Sequence, residues 1–240
     1  MNSSAQNPTP IKAAPPYSEL ACRIASALVL AVAAIVTAWV GGISLAVFWA
    51  IAGIGVLFEW VRLVWGRGGV PWVVAGLAYA SVIVIVPLVM RAEPQWGLAA
   101  LLWLFAVVWI TDIMAFACGR LIGGPKLWPR LSPKKTWSGF VGGVVCGTAA
   151  STAVAAYAGA PTLAPVVAIG FVAGVATQLG DLFESALKRQ FGVKDTGKII
   201  PGHGGMMDRL DGFAAACAVV FVIGAAHGGF GGVARGLLVW

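Results

Sequence analysis

Apolar residues fill long stretches of this chain, and polar ones gather in a few places between them. Runs at 24–40, 43–64, 70–90, 97–117, 140–157, 164–182 and 213–230 approach the about 20 residues that a helix needs to cross roughly 30 Å of hydrocarbon. The pattern predicts an all-α fold, a polytopic integral membrane helical bundle of about seven transmembrane helices. Glycines and His227 interrupt the last run, and the terminal GLLVW is expected in the membrane interface rather than across it. Residues 1–20 are polar, carry four prolines and predict a disordered tail. The run at 24–40 has a rival reading as a cleavable signal peptide, but the long tail and the lack of a convincing cleavage site favour an uncleaved first helix. The chain therefore divides into the tail, N-terminal membrane helices at 21–110, and a region at 111–240 that holds two long polar loops, 119–139 and 188–209.

Composition agrees and excludes a water-soluble globule: 60% of residues are hydrophobic and 10% charged, against roughly 25% charged in a soluble domain, and the mean hydropathy is +0.90. The four cysteines lie in or beside apolar runs without CxxC or His spacing, so they read as small core residues rather than a disulfide framework or zinc site. The net charge of +7 suits lipid headgroups, phosphates or nucleic acid, and position decides between them. With the N-terminus cytoplasmic, every basic residue except Arg91 and Arg235 faces inward. The chemistry is thereby concentrated on the cytoplasmic face, where a loop held against a bilayer is a poor nucleic-acid site.

Carboxylates at hydrocarbon depth cost about 2.5 to 3.5 kcal/mol on insertion scales, so each calls for a partner, water or a metal ion. Asp112 lies near the inner end of the fourth run; a wet helix end is its bland reading. Glu59 lies one turn from Arg62, and a structural pair on one helix face is expected. If the sixth helix continues, Asp181, Ser185 and Lys188 share a face; if the seventh begins near 208, Asp208 and Asp211 share another. Three carboxylates then approach one membrane surface from successive helices, beside lysine and arginine. Mg²⁺ favours such oxygens together with substrate phosphates. Gly202, Gly204 and Gly205 around His203 offer backbone N–H groups to an anion, although plain punctuation before a helix is the commoner use of such a loop. His203 reads equally as a phosphate-orienting or a structural group. In the earlier loop, Arg130, Trp128 and Trp137 read as membrane anchors, whereas Ser132, Lys134, Lys135 and Thr136 concentrate ammonium and hydroxyl groups suited to a polyphosphate.

The segment SALKRQFGVKDTGKIIPGHGGMMDRLD at 185–211 resembles the signature of phosphatidate cytidylyltransferases, also called CDP-diacylglycerol synthases. DIMAFACGR from Asp112 and SPKKTW from Ser132 are similar to further elements of that family in the same order. The resemblance is strong over 112–212, while the first 100 residues match only as apolar helices, with Glu59 and Trp60 a loose exception. Ser138 stands where the family commonly has Glu, and Gly212 where it commonly has Ser. The resemblance implies CTP and phosphatidic acid as substrates, CDP-diacylglycerol and pyrophosphate as products, Mg²⁺ as cofactor with a second cation in question, and a bacterial inner membrane as the setting. It implies a homodimer too, which no sequence feature shows. On that basis Asp181, Asp208 and Asp211 are expected at the metal site with Asp112 as a further ligand or neighbour. Lys134, Lys135, Lys188, Arg189 and Arg209 are expected on the phosphates. Ser185, Lys194, Asp195, His203, Gly204 and Gly205 complete the motif. Three rivals stand beside this reading: a related transferase acting on a polyprenyl, dolichol or archaeal-type lipid, an ion or phosphate transporter, and an inactive scaffold descended from the enzyme.

Overall fold

The computed structural model describes residues 16–193, 196–197 and 204–240, so residues 1–15 of the expected tail, Lys194, Asp195, Gly202 and His203 lie outside the described residues. Seven long helices follow in order: α1 (Pro16–Val40), α2 (Gly42–Val64), α3 (Gly69–Ala92), α4 (Gly97–Leu121), α5 (Trp137–Tyr157), α6 (Leu163–Gln190) and α7 (Met207–Gly228). A six-residue helix, α8 (Val233–Leu238), ends the described chain. Among these, α2 to α7 are each long and apolar enough to cross a membrane; the apolar stretch of α1, Ile24–Val40, is shorter. Large apolar side chains such as Ile54, Phe58, Phe116 and Val222 point outward, as a hydrocarbon solvent requires. The architecture is an all-α polytopic membrane bundle.

α1 begins at Pro16, eight residues before its apolar run and within the stretch 1–20 expected as a disordered tail. Three further helix ends depart from the apolar runs by four residues or more, for one reason: a hydropathy run stops where an amphipathic helix continues. α4 extends to Leu121 rather than 117, and α6 to Gln190 rather than 182, because FESALKRQ keeps a buried face through Glu184 and Leu187. α7 starts at Met207 instead of 213, its polar first turn satisfied by other parts of the fold. Between α4 and α5 the sequence predicts only a loop. The structure forms an antiparallel ribbon there, β1 (Lys126–Trp128) and β2 (Ser132–Thr136), with Lys126 opposite Thr136. α8 packs its buried Leu237 and Leu238 into the bundle, and Gly224 of α7 lets the α8 backbone approach closely.

Two helix crossings set the position of everything polar. In α5, Gly139, Gly143 and Gly147 recur every four residues against α4; a Cβ there would stand 2.6 Å from the Ala115 carbonyl, 2.6 Å from that of Thr111 and 2.9 Å from that of Val107. Only glycine allows that approach, the small-residue packing familiar between membrane helices. α6 and α7 meet in the same way at Gly180 and Gly212, where a Cβ on Gly212 would lie 3.0 Å from the Thr177 carbonyl and 3.1 Å from Asp181 Oδ1. This crossing holds the carboxylate-bearing turns of α6 and α7 side by side. Aromatic rings tie the N-terminal helices to this pair: Trp49 of α2 stacks on Phe213 of α7 at 4.7 Å, and Phe105 of α4 lies 6.2 Å from each.

Candidate functional site

On α6, Asp181, Glu184, Ser185 and Lys188 are spaced at three and four residues, so they form one stripe toward its C-terminal end. Asp208 and Asp211 stand one turn apart at the start of α7, where the helix's unsatisfied N–H groups favour negative charge. Lys188 bridges the two helices. Its Nζ lies 2.6 Å from Glu184 Oε2 and 2.9 Å from Asp208 Oδ1. The other oxygen of Asp208 accepts the Gly205 N–H at 2.9 Å. Gly204 adopts φ +85°, a left-handed conformation, and a Cβ on Gly205 would collide with the Thr196 hydroxyl, so both glycines are required by geometry. Ser185 follows Asp181 by one turn on the stripe.

β2 delivers the second cation. Successive strand residues point to opposite faces, so Lys134 is exposed while Lys135 turns inward, with its Nζ 2.6 Å from Asp181 Oδ2 and 3.5 Å from the Gln178 carbonyl. Thr136 is buried and caps α5: its Oγ1 accepts the Gly139 N–H at 3.2 Å. Ser132 pairs with Trp128 across the ribbon. Arg189 Nε donates to the Leu131 carbonyl at 2.7 Å and so fastens the ribbon's turn to α6. Ser138 donates to the Gly123 carbonyl, and its Oγ lies 3.1 Å from that of Thr136, so the serine in place of the family's glutamate works within the loop after α4.

Both ion pairs are partly shielded, with side-chain exposures of 22% and 24% for Lys135 and Asp181 and 19% and 12% for Lys188 and Asp208. That is enough burial to strengthen each pair over a surface bridge and enough access for a competing ion to reach it. Asp112, nine residues before the last of α4, remains accessible and interacts electrostatically with Asp181, Lys135 and Arg209. Asp181, Glu184 and Asp112 all act on Asp211, whose Oδ1 accepts the Gly212 N–H at 2.8 Å. Carboxylates from α4, α6 and α7 thus share one end of the bundle with Lys135, Lys188 and Arg209.

Two further carboxylates belong to this end and were not singled out as site residues from sequence. Glu184 contacts Lys188 at i, i+4, a spacing visible in FESALK, and its Oε1 is buried without a hydrogen-bond partner. Glu59 departs from expectation. It does not pair with Arg62, whose guanidinium lies over the Phe58 ring at 5.6 Å; instead it is 1% exposed and points from α2 to the start of α7. Its Oε2 accepts the Met207 N–H at 2.8 Å and the Thr196 hydroxyl at 3.4 Å, so it caps α7 from another helix. Long-range partnership has no local signal; the cost of a carboxylate at this depth was the one hint.

No group of three or more His, Cys, Asp or Glu side chains among the described residues forms a ready metal cage. The donor chemistry nonetheless fits Mg²⁺, which typically takes one or two carboxylates and completes its shell with water and substrate phosphates. Asp181 engages Lys135 through Oδ2, and Asp211 engages its neighbouring N–H through Oδ1, so these bonds occupy one oxygen of each. Asp208 has both oxygens occupied, by Lys188 and Gly205.

A family model described as the cytidylyltransferase family matches residues 68–227. A phosphatidate cytidylyltransferase from Brucella abortus (strain 9-941) is 35% identical over 254 residues, covering 87% of this chain and 94% of the relative. One from Brucella suis biovar 1 shows the same identity and coverage. Another, from Staphylococcus saprophyticus, is 46% identical over 118 residues, covering 49% of this chain and 45% of the relative.

Proposed function

The chain belongs to the cytidylyltransferase family and is a nucleotidyltransferase, and from that membership and the charged end of the bundle we propose that it transfers CMP from CTP to phosphatidic acid in phospholipid synthesis. The products are CDP-diacylglycerol and pyrophosphate. The observation that carries this reading is the pairing of Lys135 with Asp181 and of Lys188 with Asp208 at one end of an otherwise apolar bundle, where a lipid phosphate and a soluble nucleotide can meet.

In the proposed reaction a phosphatidate oxygen attacks the α-phosphorus of CTP, a new P–O bond forms, and the bond to the β-phosphate breaks with its electron pair leaving on pyrophosphate. A phosphatidate oxygen is already anionic near neutral pH, so the chain's task is to align two repelling anions and stabilise the charge that develops. Lys135 and Lys188 supply that charge: each leaves a carboxylate for a phosphate oxygen when substrate arrives, and each is returned to its carboxylate on product release. Arg209 and Arg189, on the exposed rim, attract the triphosphate. Asp181, Asp208 and Asp211 would hold Mg²⁺ with Asp112 beside them, and the ion when bound supplies Lewis-acid neutralisation of the nucleotide phosphates. Glu184 holds Lys188 upright between the helices, and the Gly205–Asp208 contact sets the loop ahead of α7. The site is assigned to the cytoplasmic face of a bacterial inner membrane with the N-terminus on that side; the distribution of charge along the sequence favours this, since all basic residues but Arg91 and Arg235 would then face inward.

Purified protein mixed with CTP, phosphatidic acid and Mg²⁺ is expected to form a cytidine-containing lipid and pyrophosphate in equal amounts, with dCTP and ATP as comparison nucleotides. Absence of a cytidine-containing lipid from protein that stays folded in detergent would overturn the proposal.

A further inference from the structure

Helix α7 begins without a cap of its own. Met206 precedes it and makes no side-chain capping bond, although a serine, threonine or aspartate at that place would supply one locally. The acceptor comes instead from α2, where the Glu59 carboxylate is 1% exposed and takes the Met207 N–H at 2.8 Å. Burying a charge is a costly way to end a helix. Its effect is to hold α2 and the first turn of α7 in one place, and the next residue of that turn is Asp208.

The contact is broader than one hydrogen bond. Glu59 Oε2 also accepts the Thr196 hydroxyl at 3.4 Å, and a Cβ on Gly205 would stand 2.6 Å from it, so the backbone that donates to Asp208 lies directly against the carboxylate. Gly197 closes on the other oxygen. A Cβ there would collide with Oε1, which is buried and has no hydrogen-bond partner among the described residues. One turn earlier on α2, a Cβ on Gly55 would lie 3.4 Å from Met206 Cγ.

The chain leaving α6 is held by the same pair of N-terminal helices. Arg67, between α2 and α3, donates from Nη1 to the Phe191 carbonyl at 3.1 Å, and Trp72 of α3 meets the Phe191 ring edge-on at 5.1 Å. Trp60, next to Glu59, locks α2 to α3 through a 2.7 Å bond to the Trp72 carbonyl. The end of α6 and the start of α7 are therefore both fixed to α2 and α3, helices to which no metal or phosphate group is assigned.

We propose that Glu59 is a positioning residue for the transfer reaction: by holding Met207, Thr196 and the glycines at 204–205 it fixes where Asp208 stands against Lys188. This rests on the transferase reading above and adds to it a residue that touches neither substrate. The hold depends on the reach of an oxygen acceptor and not on its charge. A displacement of about 1 Å at a reacting centre costs up to about a hundredfold in rate, so slackening this contact slows turnover without removing any group that meets a phosphate.

Setting reach against charge in the full chain tests it. Glu59→Gln removes the charge and keeps an oxygen at the same reach, whereas Glu59→Asp keeps the charge and withdraws it by one methylene. The kcat of Glu59→Gln is expected within about threefold of the unaltered protein and that of Glu59→Asp about ten- to a hundredfold lower, with a smaller change in the KM for CTP. Gly197→Ala presses a methyl group on Oε1 and is expected to slow turnover in the same way, which keeps the test readable if Glu59→Asp does not fold. Arg91→Ala, at the other end of the bundle, controls for lost stability. A second readout needs no substrate or metal ion: hydrogen exchange over residues 204–210, followed by mass spectrometry, is expected to quicken about tenfold in Glu59→Asp and to stay unchanged in Glu59→Gln and Arg91→Ala. Glu59→Gln as slow as Glu59→Asp overturns the proposal, as does normal kcat in both Glu59→Asp and Gly197→Ala, or slow turnover with unaltered exchange at 204–210. Failure of the unaltered protein to transfer CMP would sink the enzyme reading and this proposal with it, whereas normal turnover with indifferent variants would sink only the role of Glu59.

Discussion

The two ends of the bundle treat positive charge differently. At one end, Lys135 and Lys188 sit on Asp181 and Asp208, side chain against side chain, with both partners partly accessible. At the other, Arg91 donates from Nε to the Ala38 carbonyl at 2.7 Å and from Nη2 to the Trp39 carbonyl at 3.1 Å, closing the last turn of α1. Nearby, Glu93 accepts the Arg235 backbone N–H at 2.9 Å and fastens α8. Arg91, bonded to two backbone carbonyls, terminates a helix and has no reason to leave. In the proposed reaction, a cation paired with a carboxylate that a metal ion could take would be exchangeable, leaving for a phosphate. The difference separates structural charge from chemical charge in a chain where both are scarce.

The comparison is broken most severely by removing a carboxylate at the charged end. Asp181→Asn, Asp208→Asn and Asp211→Asn are each expected to lower pyrophosphate release by about a hundredfold or more while the protein elutes normally in detergent; full activity in Asp208→Asn refutes its place in the site. Lys135→Ala follows, with an expected fall in kcat/KM of about ten- to a hundredfold and little change in melting temperature. Glu59→Ala acts through the fold: Met207 N–H and Thr196 lose their acceptor, and thermal melting in detergent should register a loss of about 2 kcal/mol. Arg91→Ala should cost about 1 to 2 kcal/mol by the same measurement while the turnover of the remaining folded protein is unchanged. If Arg91→Ala instead abolished turnover in folded protein, the division between the two ends would fail. The smallest effect is expected for Lys134→Ala, whose exposed side chain faces away from Asp181; kcat/KM should change less than about twofold.

Lys134 and Lys135 show how far the sequence could be read. Their composition marked the segment as phosphate-binding, but only the strand's alternation separates the inward lysine from the outward one, and a five-residue strand inside a polar loop leaves no periodicity to detect. Asp181, Lys188, Asp208 and Asp211 were legible because helical spacing links them within each element. Their pairing across α6 and α7 was not, since it depends on the glycine crossing at Gly180 and Gly212 rather than on any local pattern. Glu59 keeps the structural role the sequence suggests, but its partner is not legible there: Arg62 is the nearest cation in sequence, and the true partners are more than a hundred residues away. The membrane helices themselves are plain in the hydropathy pattern; the ends of α1, α4, α6 and α7 are not, because those helices run on into less apolar sequence.

The central claim is that acidic groups from separate helices converge on one divalent ion that both substrates share. Titrating Mg²⁺ against CMP transfer by the unaltered protein and by Asp211→Asn tests it most directly. No transfer is expected in the presence of a chelator, with restoration on adding Mg²⁺, and the variant is expected to stay inactive or to need far more of the ion. Transfer that persists in chelator, or a variant with the unaltered protein's Mg²⁺ dependence, would contradict it.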